Sequence, residues 1–342
     1  MPDSWVVVGL DNGGTKNNAT ILDPGNGFLV DRLIEEPSRV KEGPAVAVDA
    51  LEIVFNDVLR ETGVARERVR LIGFDTPGPA SAEGVISSKG ATNFVHPGWR
   101  DFDFRKALED RLRIPVVYSN DGNAAALYAH RSFFGAEAPY RSSVSVVVGT
   151  GLGGGVIEDG RIIKGVAGMA GELGHIQIRL DGLLAEGQQE PRCNCGLVGD
   201  VESIASLSGI EKTLLPYWLT RFPDHELGRL PIDKAAKLVR SYAEKRDPLA
   251  LKIFEQQAMA LGRLFTIAAN FTDPTAYFVG GGVVETIPEF RKWFVATVRE
   301  HTNLREEQAE VTRFAVVPDL DMAGARGAAI AALATLEAKP LS

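Results

Sequence analysis

Short apolar runs that end in glycine punctuate the chain, and two of them echo each other. Val6-Val7-Val8-Gly9 leads into Asp11-Asn12-Gly13-Gly14-Thr15-Lys16, and Val146-Val147-Val148-Gly149 leads into Thr150-Gly151-Leu152-Gly153-Gly154-Gly155. Each returns through a second apolar segment, residues 19–22 or 156–157, to a polar turn. This pattern predicts two strand-turn-strand hairpins, one in each half of the chain. Glycine-rich tips expose backbone N–H groups with no side chain in the way, which suits a polyphosphate. Two like tips imply two related domains facing each other across a cleft, with one nucleotide between them.

The remaining pattern alternates strands and helices. Strands are expected at 5–10, 18–22 and 28–34. A helix follows at 44–62, where Val48, Leu51, Phe55, Val58 and Leu59 recur at helical spacing until Gly63. A strand at 69–74 runs into Thr76-Pro77-Gly78-Pro79, which cannot be helical. A loop with Asn93 precedes a helix near 104–112. The strand 115–119 meets Asn120-Asp121 and a helix over 124–134. Residues 182–198 read as irregular, and 199–216 and 233–270 as mostly helical with a break at Pro248. A strand at 276–279 meets Gly280-Gly281-Gly282 and a helix. A strand at 311–317 and a closing helix near 322–337 complete an α/β chain.

Composition narrows the function classes. The length of 342 residues suits two domains, and 45% hydrophobic with 24% charged residues is an ordinary globular mixture. A net charge of −8, from 37 basic and 45 acidic residues, argues against a nucleic-acid-binding surface. No run approaches the roughly 18 apolar residues of a membrane helix, and no basic stretch precedes the first strand as in a signal peptide. The two cysteines, Cys193-Asn194-Cys195, are too close for an ordinary structural disulfide. They fit a reducing cytoplasm and metal ligation.

Each motif has a structural and a chemical reading. Gly149-Thr150-Gly151-Leu152-Gly153-Gly154 has dinucleotide-fingerprint spacing, but the fingerprint requires a helix where strand pattern continues here. Gly9 to Lys16 fails as a P-loop because the lysine follows the threonine. Asp11 is either a turn residue or a holder of hydrated Mg²⁺ beside a phosphate tip. Lys16 lies further along and reads equally as a solvent-facing residue. Asn120-Asp121 is either a helix N-cap or a pair in which Asn120 holds a substrate hydroxyl and Asp121 takes its proton. His175 with Cys193 and Cys195 is a metal signal, and Asp200 is the candidate fourth ligand.

Taken in order, the motifs Asp11-Asn12-Gly13-Gly14-Thr15-Lys16, Thr76-Pro77-Gly78-Pro79, Asn120-Asp121-x-Asn123-Ala124-Ala125, Gly149-Thr150-Gly151-x-Gly153-Gly154-Gly155, Gly171-Glu172-x-Gly174-His175 and Cys193-x-Cys195-Gly196 resemble the ROK family of sugar kinases and sugar-responsive repressors. The resemblance extends through Asp273-Pro274, Gly280-Gly281-Gly282 and Ala325-Arg326-Gly327-Ala328-Ala329. It implies an actin-like (ribonuclease H-like) two-domain α/β fold with duplicated β-hairpin phosphate loops. An N-terminal domain of residues 1–120 would be completed by the C-terminal helix 322–338. A C-terminal domain of 121–321 would carry a zinc-binding segment at 175–200.

The same resemblance assigns roles. Asp11, with hydrated Mg²⁺, and Gly13, Gly14 and Thr15 would face the ATP phosphates. Thr150, Gly151, Gly153 and Gly154 would form the second phosphate loop, and Gly280, Gly281 and Gly282 would flank the adenosine. Asn93, Asn120, Asp121, Glu172, His175 and Glu202 would hold the sugar, with Asp121 as catalytic base. Zinc would be held by His175, Cys193, Cys195 and Asp200, the last replacing the third cysteine of the family's motif. The repressor branch carries a helix-turn-helix before the first strand, and here that strand begins at about Trp5. A cytoplasmic, homodimeric ATP-dependent hexose kinase acting on the 6-hydroxyl of glucose is the expectation, with fructose, mannose, N-acetylglucosamine or N-acetylmannosamine as alternative substrates and a non-catalytic sugar-binding regulatory protein as the alternative of another class. Its partners are sugar and ATP, with no nucleic acid and no membrane.

Overall fold

The valine run of the first hairpin becomes β1 (Val6–Asn12), whose Val6, Val7, Val8 and Leu10 are fully buried in the computed structural model, which describes residues 5–78, 80–86 and 93–338. β1 pairs antiparallel with β2 (Lys16–Asp23) and parallel with β5 (Val69–Thr76), which pairs parallel with β6 (Val116–Asn120). Two short strands, β3 (Gly27–Phe28) and β4 (Ile34–Pro37), both pair with β2. The single strand expected at 28–34 is therefore split, because Asp31 and Arg32 turn out to solvent between the two pieces.

One face of this sheet packs on α1 (Pro44–Thr62) and α2 (Phe104–Leu112) through Leu51, Phe55, Phe74 and Trp99. The other face carries α3 (Asp121–Phe134) and the last helix, which the chain returns to supply. Its sequence, LDMAGARGAAIAALATLEA, is small-residue rich, and that permits a close approach. A Cβ on Gly9 would lie 1.9 Å from the Ala325 carbonyl oxygen, and one on Gly73 1.8 Å from that of Ala328. Gly9 and Gly73 are themselves register partners in β1 and β5, so the helix backbone rests on a two-glycine floor.

The second hairpin is β7 (Ser143–Val148) with β8 (Leu152–Glu158), edged by β9 (Arg161–Ile162). β7 also pairs parallel with β10 (Ala276–Gly281), which pairs parallel with β11 (Arg313–Val316). Within each sheet the sequence of pairings is the same: an antiparallel hairpin partner, then two parallel neighbours. Residues 199–206 are turns where helix was expected, because Ser203 and Ser206 bond back to Asp200 and Glu202 rather than joining a helix. The helix starts as α4 (Leu207–Gly209) and runs through a π turn at Ile210–Leu214 into α5 (Leu215–Arg221).

α6 (Ile232–Glu244) is followed by α7 (Pro248–Thr272), which begins at the expected proline, capped by Asp247 accepting from the Ala250 amide at 2.9 Å. α8 (Pro288–Glu300) and α9 (Glu306–Val311) precede β11, and α10 (Leu320–Ala338) closes the chain. Contacts divide the chain into two units. The first comprises the residues up to Gly135, Ile162–Gly171 and those from Pro318 on. The second comprises Ala136–Arg161 and Glu172–Val317. The division keeps α3 with the first unit, in place of the expected change at 120/121, because α3 packs on α10.

Candidate active site

In the first unit the carboxyl ends of β1, β5 and β6 bring polar residues into two rows. Register pairs Asp11 with Asn18 and Asp75, and Asp75 with Ser119. Side chains alternate along a strand, so Asn12, Thr76 and Asn120 fall on the opposite face. That second row is bonded across the sheet: Thr76 Oγ1 donates to Asn12 Oδ1 at 3.1 Å, and Asn12 Nδ2 to Asn17 Oδ1 at 2.6 Å. Asp11 accepts from Asn18 Nδ2 at 3.1 Å and borders a cavity of about 310 Å³ shared with Gly13, Thr15 and Asp321. Burial pushes its carboxyl above the ordinary aspartate value, against the opposing effect of hydrogen bonding with Asp75 and Asn18. Asp75 is wholly buried, and its carboxyl is pushed well up by burial first, then by the charge of Asp11 and a hydrogen bond with it, and last by the charge of Asp121.

The first hairpin tip lies at Gly13, Gly14 and Thr15. Gly13 N–H donates to the Lys16 carbonyl at 2.8 Å, and a Cβ on Gly14 would come within 2.6 Å of Asn93 Oδ1. Asn93, expected to touch sugar, thus lies against the expected phosphate turn. Lys16 points to solvent and pairs with Glu35 at 2.6 Å, its bland reading. Pro79, the last residue of the expected turn, lies outside the described residues.

Asn120 fulfils the capping reading: its Oδ1 accepts from the amides of Gly122 at 2.8 Å and Asn123 at 3.3 Å. Its Nδ2 points toward Gly78. Asp121 is the first residue of α3, exposed, with one carboxylate oxygen accepting from the Gly122 amide at 2.7 Å. The positive end of a helix dipole favours an ionised carboxylate at this position.

In the second unit, the β7–β8 turn contains Gly149, Thr150 and Gly151. Its carbonyls accept from α4: Gly149 O from the Leu207 amide at 2.9 Å, and Thr150 O from Ser208 Oγ at 2.8 Å. Gly153 and Gly154, expected in the loop, instead lie within β8 opposite Val147 and Val146. A Cβ on Gly154 would sit 2.8 Å from both Leu173 Cδ1 and the Ser145 carbonyl, so packing alone requires glycine there. The two Gly-Gly pairs of the sequence echo are therefore not equivalent: the first forms a tip and the second a strand. Gly280 and Gly281 end β10, and the Gly282 carbonyl accepts from the Arg240 guanidinium.

Glu202 braces the second tip. Its Oε2 accepts from the Leu152 amide at 2.8 Å, and Cys193 Sγ donates to its Oε1 at 3.4 Å. Glu172 is held above the ordinary glutamate value by burial first, with nearby His175 pulling it down and Glu202 pushing it up.

His175, Cys193, Cys195 and Asp200 converge so that their donor atoms all lie within 4.8 Å of one another. His175 Nδ1 is 3.2 Å from Asp200 Oδ2 and 3.8 Å from Cys193 Sγ, and Cys195 Sγ is 3.7 Å from the same carboxylate oxygen. Asp200 is fully buried and anchored by the Ser203 amide on its other oxygen. Two sulfurs, one imidazole nitrogen and one carboxylate oxygen at this spacing fit tetrahedral Zn²⁺. With Nδ1 in the cluster, any sugar contact from His175 falls to its Nε2 edge.

The carboxylate at position 75 escaped the sequence reading. Its signal was an aspartate closing the apolar run Leu71-Ile72-Gly73-Phe74, a residue type depleted in strand interiors.

These arrangements can be set beside known proteins. The profile described as the ROK family matches residues 7–335. The chain belongs to the ROK family. A glucokinase of Halalkalibacterium halodurans is 33% identical over 287 residues, which is 83% of this chain and 82% of that protein. Among solved structures, the ROK hexokinase from Thermus thermophilus is 30% identical with a TM-score of 0.76, covering 98% of this chain and 100% of that one. The ROK family glucokinase from Streptomyces griseus, in complex with glucose and AMPPNP, is 26% identical with a TM-score of 0.68, covering 96% and 99%. This ROK chain accordingly has the two-sheet, actin-like α/β fold that its motifs imply.

Proposed function

We propose that this ROK protein transfers the γ-phosphoryl group of ATP to the 6-hydroxyl of glucose, with Asp121 as general base. Sugar kinase activity is the reading common to the named glucokinase and hexokinase relatives. The observation that carries the base assignment is the placement of Asp121: first residue of α3, exposed, beside a capped Asn120 and at the carboxyl end of a parallel strand. Ligands of open α/β sheets bind at such strand ends.

The chemistry follows from these placements. Phosphoryl transfer depends on positioning and charge neutralisation more than on covalent help. Asn120 and Asn93 orient sugar hydroxyls, and the Asp121 carboxylate accepts the 6-hydroxyl proton as the bond from that oxygen to the γ-phosphorus forms. The bond to the β-phosphate oxygen breaks, and ADP leaves with its electron pair. With the Gly13 and Gly149 amides bonded inside their own turns, Gly14, Thr15, Thr150 and Gly151 are the tip residues that would offer amides to the phosphates, and Gly280, Gly281 and Gly282 would border the adenosine. Asp11 would hold Mg²⁺ through water, and that ion supplies charge neutralisation on the phosphates. His175, Cys193, Cys195 and Asp200 would hold Zn²⁺ as a structural pin for residues 182–198.

Glucose is favoured because the assigned pocket residues Asn93, Asn120, Asp121, Glu172, His175 and Glu202 are polar and suit a polyhydroxylated ring. A coupled ADP-release assay over glucose, mannose, fructose, N-acetylglucosamine and N-acetylmannosamine tests the assignment. Glucose should give the highest kcat/KM. A much higher value for an N-acetylated sugar or fructose would move the substrate and leave the kinase reading in place. No ADP release with any of them would end the kinase reading.

A further inference from the structure

Asp11 on β1, Asp75 on β5 and Ser119 on β6 are register neighbours on one face of adjacent parallel strands. Such strands lie about 4.8 Å apart, so two carboxylates stand side by side. Asp75 is wholly buried, and apart from the Asp11 carboxylate beside it neither of its oxygens meets a hydrogen-bonding group among the described residues. Ser119 Oγ, on a residue 2% exposed, is likewise without a partner, and so is Asn18 Oδ1 on the other side of Asp11. Folded proteins pair nearly all their buried polar atoms. Unpartnered oxygens concentrated in one row therefore call for a ligand that accepts oxygen donors only. A small divalent cation of the Mg²⁺ or Mn²⁺ type matches that donor set, whereas Zn²⁺ prefers the sulfur and imidazole set of the second unit. The cavity bordered by Asp11 gives a hydrated ion a way in.

We propose that Asp75 is a second carboxylate of the divalent-cation seat, acting beside Asp11 so that the protein holds the cation before nucleotide arrives. The inference rests on the reading of Asp11 as the residue facing Mg²⁺. Asp75 is a positioning residue here: its carboxyl lies behind Asp11, the residue that meets the ion. No motif of the resemblance contains it.

The test is a Mn²⁺ titration of the full chain followed by electron paramagnetic resonance, without ATP or sugar. Wild type should bind Mn²⁺, and Asp75→Asn should bind it at least about tenfold more weakly, as loss of a charge beside an ion in a poorly solvated site implies. Asp11→Asn, measured in parallel, should lose binding as well. Binding by Asp75→Asn equal to or tighter than wild type, with Asp11→Asn impaired, would overturn the role of Asp75 and leave Asp11 standing. Unimpaired binding by Asp11→Asn would instead overturn the reading on which the inference rests. Absence of Mn²⁺ binding by wild type without ATP would also overturn the inference. Each variant is read only with a wild-type circular dichroism spectrum, and Asp75→Ser replaces Asp75→Asn if the latter does not fold.

Discussion

Asn120 caps α3 with its Oδ1, and this fixes Asp121 as the first helical residue with its carboxylate at the positive end of the helix dipole. The structural and chemical readings of the pair are thus compatible, since the cap determines where the proposed base stands. Asp121→Asn keeps the shape and removes the proton acceptor, so turnover should fall by roughly 10²–10⁴-fold. Sugar affinity, measured by calorimetry, should stay near wild type. Asp75 gives a prediction in pH. Its folded value is raised, so between the ordinary aspartate range and that raised value the folded state holds a proton the unfolded chain has lost. Stability from this group is complete at low pH and is lost as pH rises through the folded value. In a metal-free buffer, Asp75→Asn should therefore melt higher than wild type, and the gap should be wider at about pH 8 than at about pH 5. Equal gaps at both values would contradict the assignment. The placement of Asp11 and of the Asn120–Asp121 pair at strand ends was legible because turn chemistry and motif order announce it. Asp75 was not, because its meaning comes from register with β1, which a one-dimensional pattern does not contain.

At the scale of elements, legibility followed packing. The hairpins β1–β2 and β7–β8 and the long helices α1, α7 and α10 came through because an apolar run or stripe marks each. Gly154 shows that a glycine needed for packing against Leu173 looks the same in sequence as one at a phosphate tip. The approach of α10 to the sheet makes a sharper demand. Gly73→Ala would place a methyl group 1.8 Å from the backbone of Ala328, which cannot yield without moving the helix. Urea unfolding should show a loss of about 1–3 kcal/mol or more. The segment of the proposed zinc site makes the opposite kind of prediction, because residues 182–198 have little core of their own. Purified protein should carry one Zn²⁺ per chain by elemental analysis. Chelation should lower the melting temperature and expose both thiols to a thiol reagent, with no change in the Mg²⁺ dependence of turnover.

At the scale of the whole molecule, the family and the α/β class were readable from the order of the motifs, whereas the unit boundaries were not. Helix α3 follows the strand end where a change of domain was expected, yet it packs on α10 and stays with the first sheet. That same packing has a consequence for biosynthesis. β1 leaves the ribosome about 300 residues ahead of the helix that covers its Gly9 face. At about 5–20 residues per second, roughly 15–60 s separate the two. During that interval the second unit, Ala136–Arg161 with Glu172–Val317, can complete its own core, while the first waits with one face of its sheet open. The first sheet therefore depends on other protection until α10 arrives.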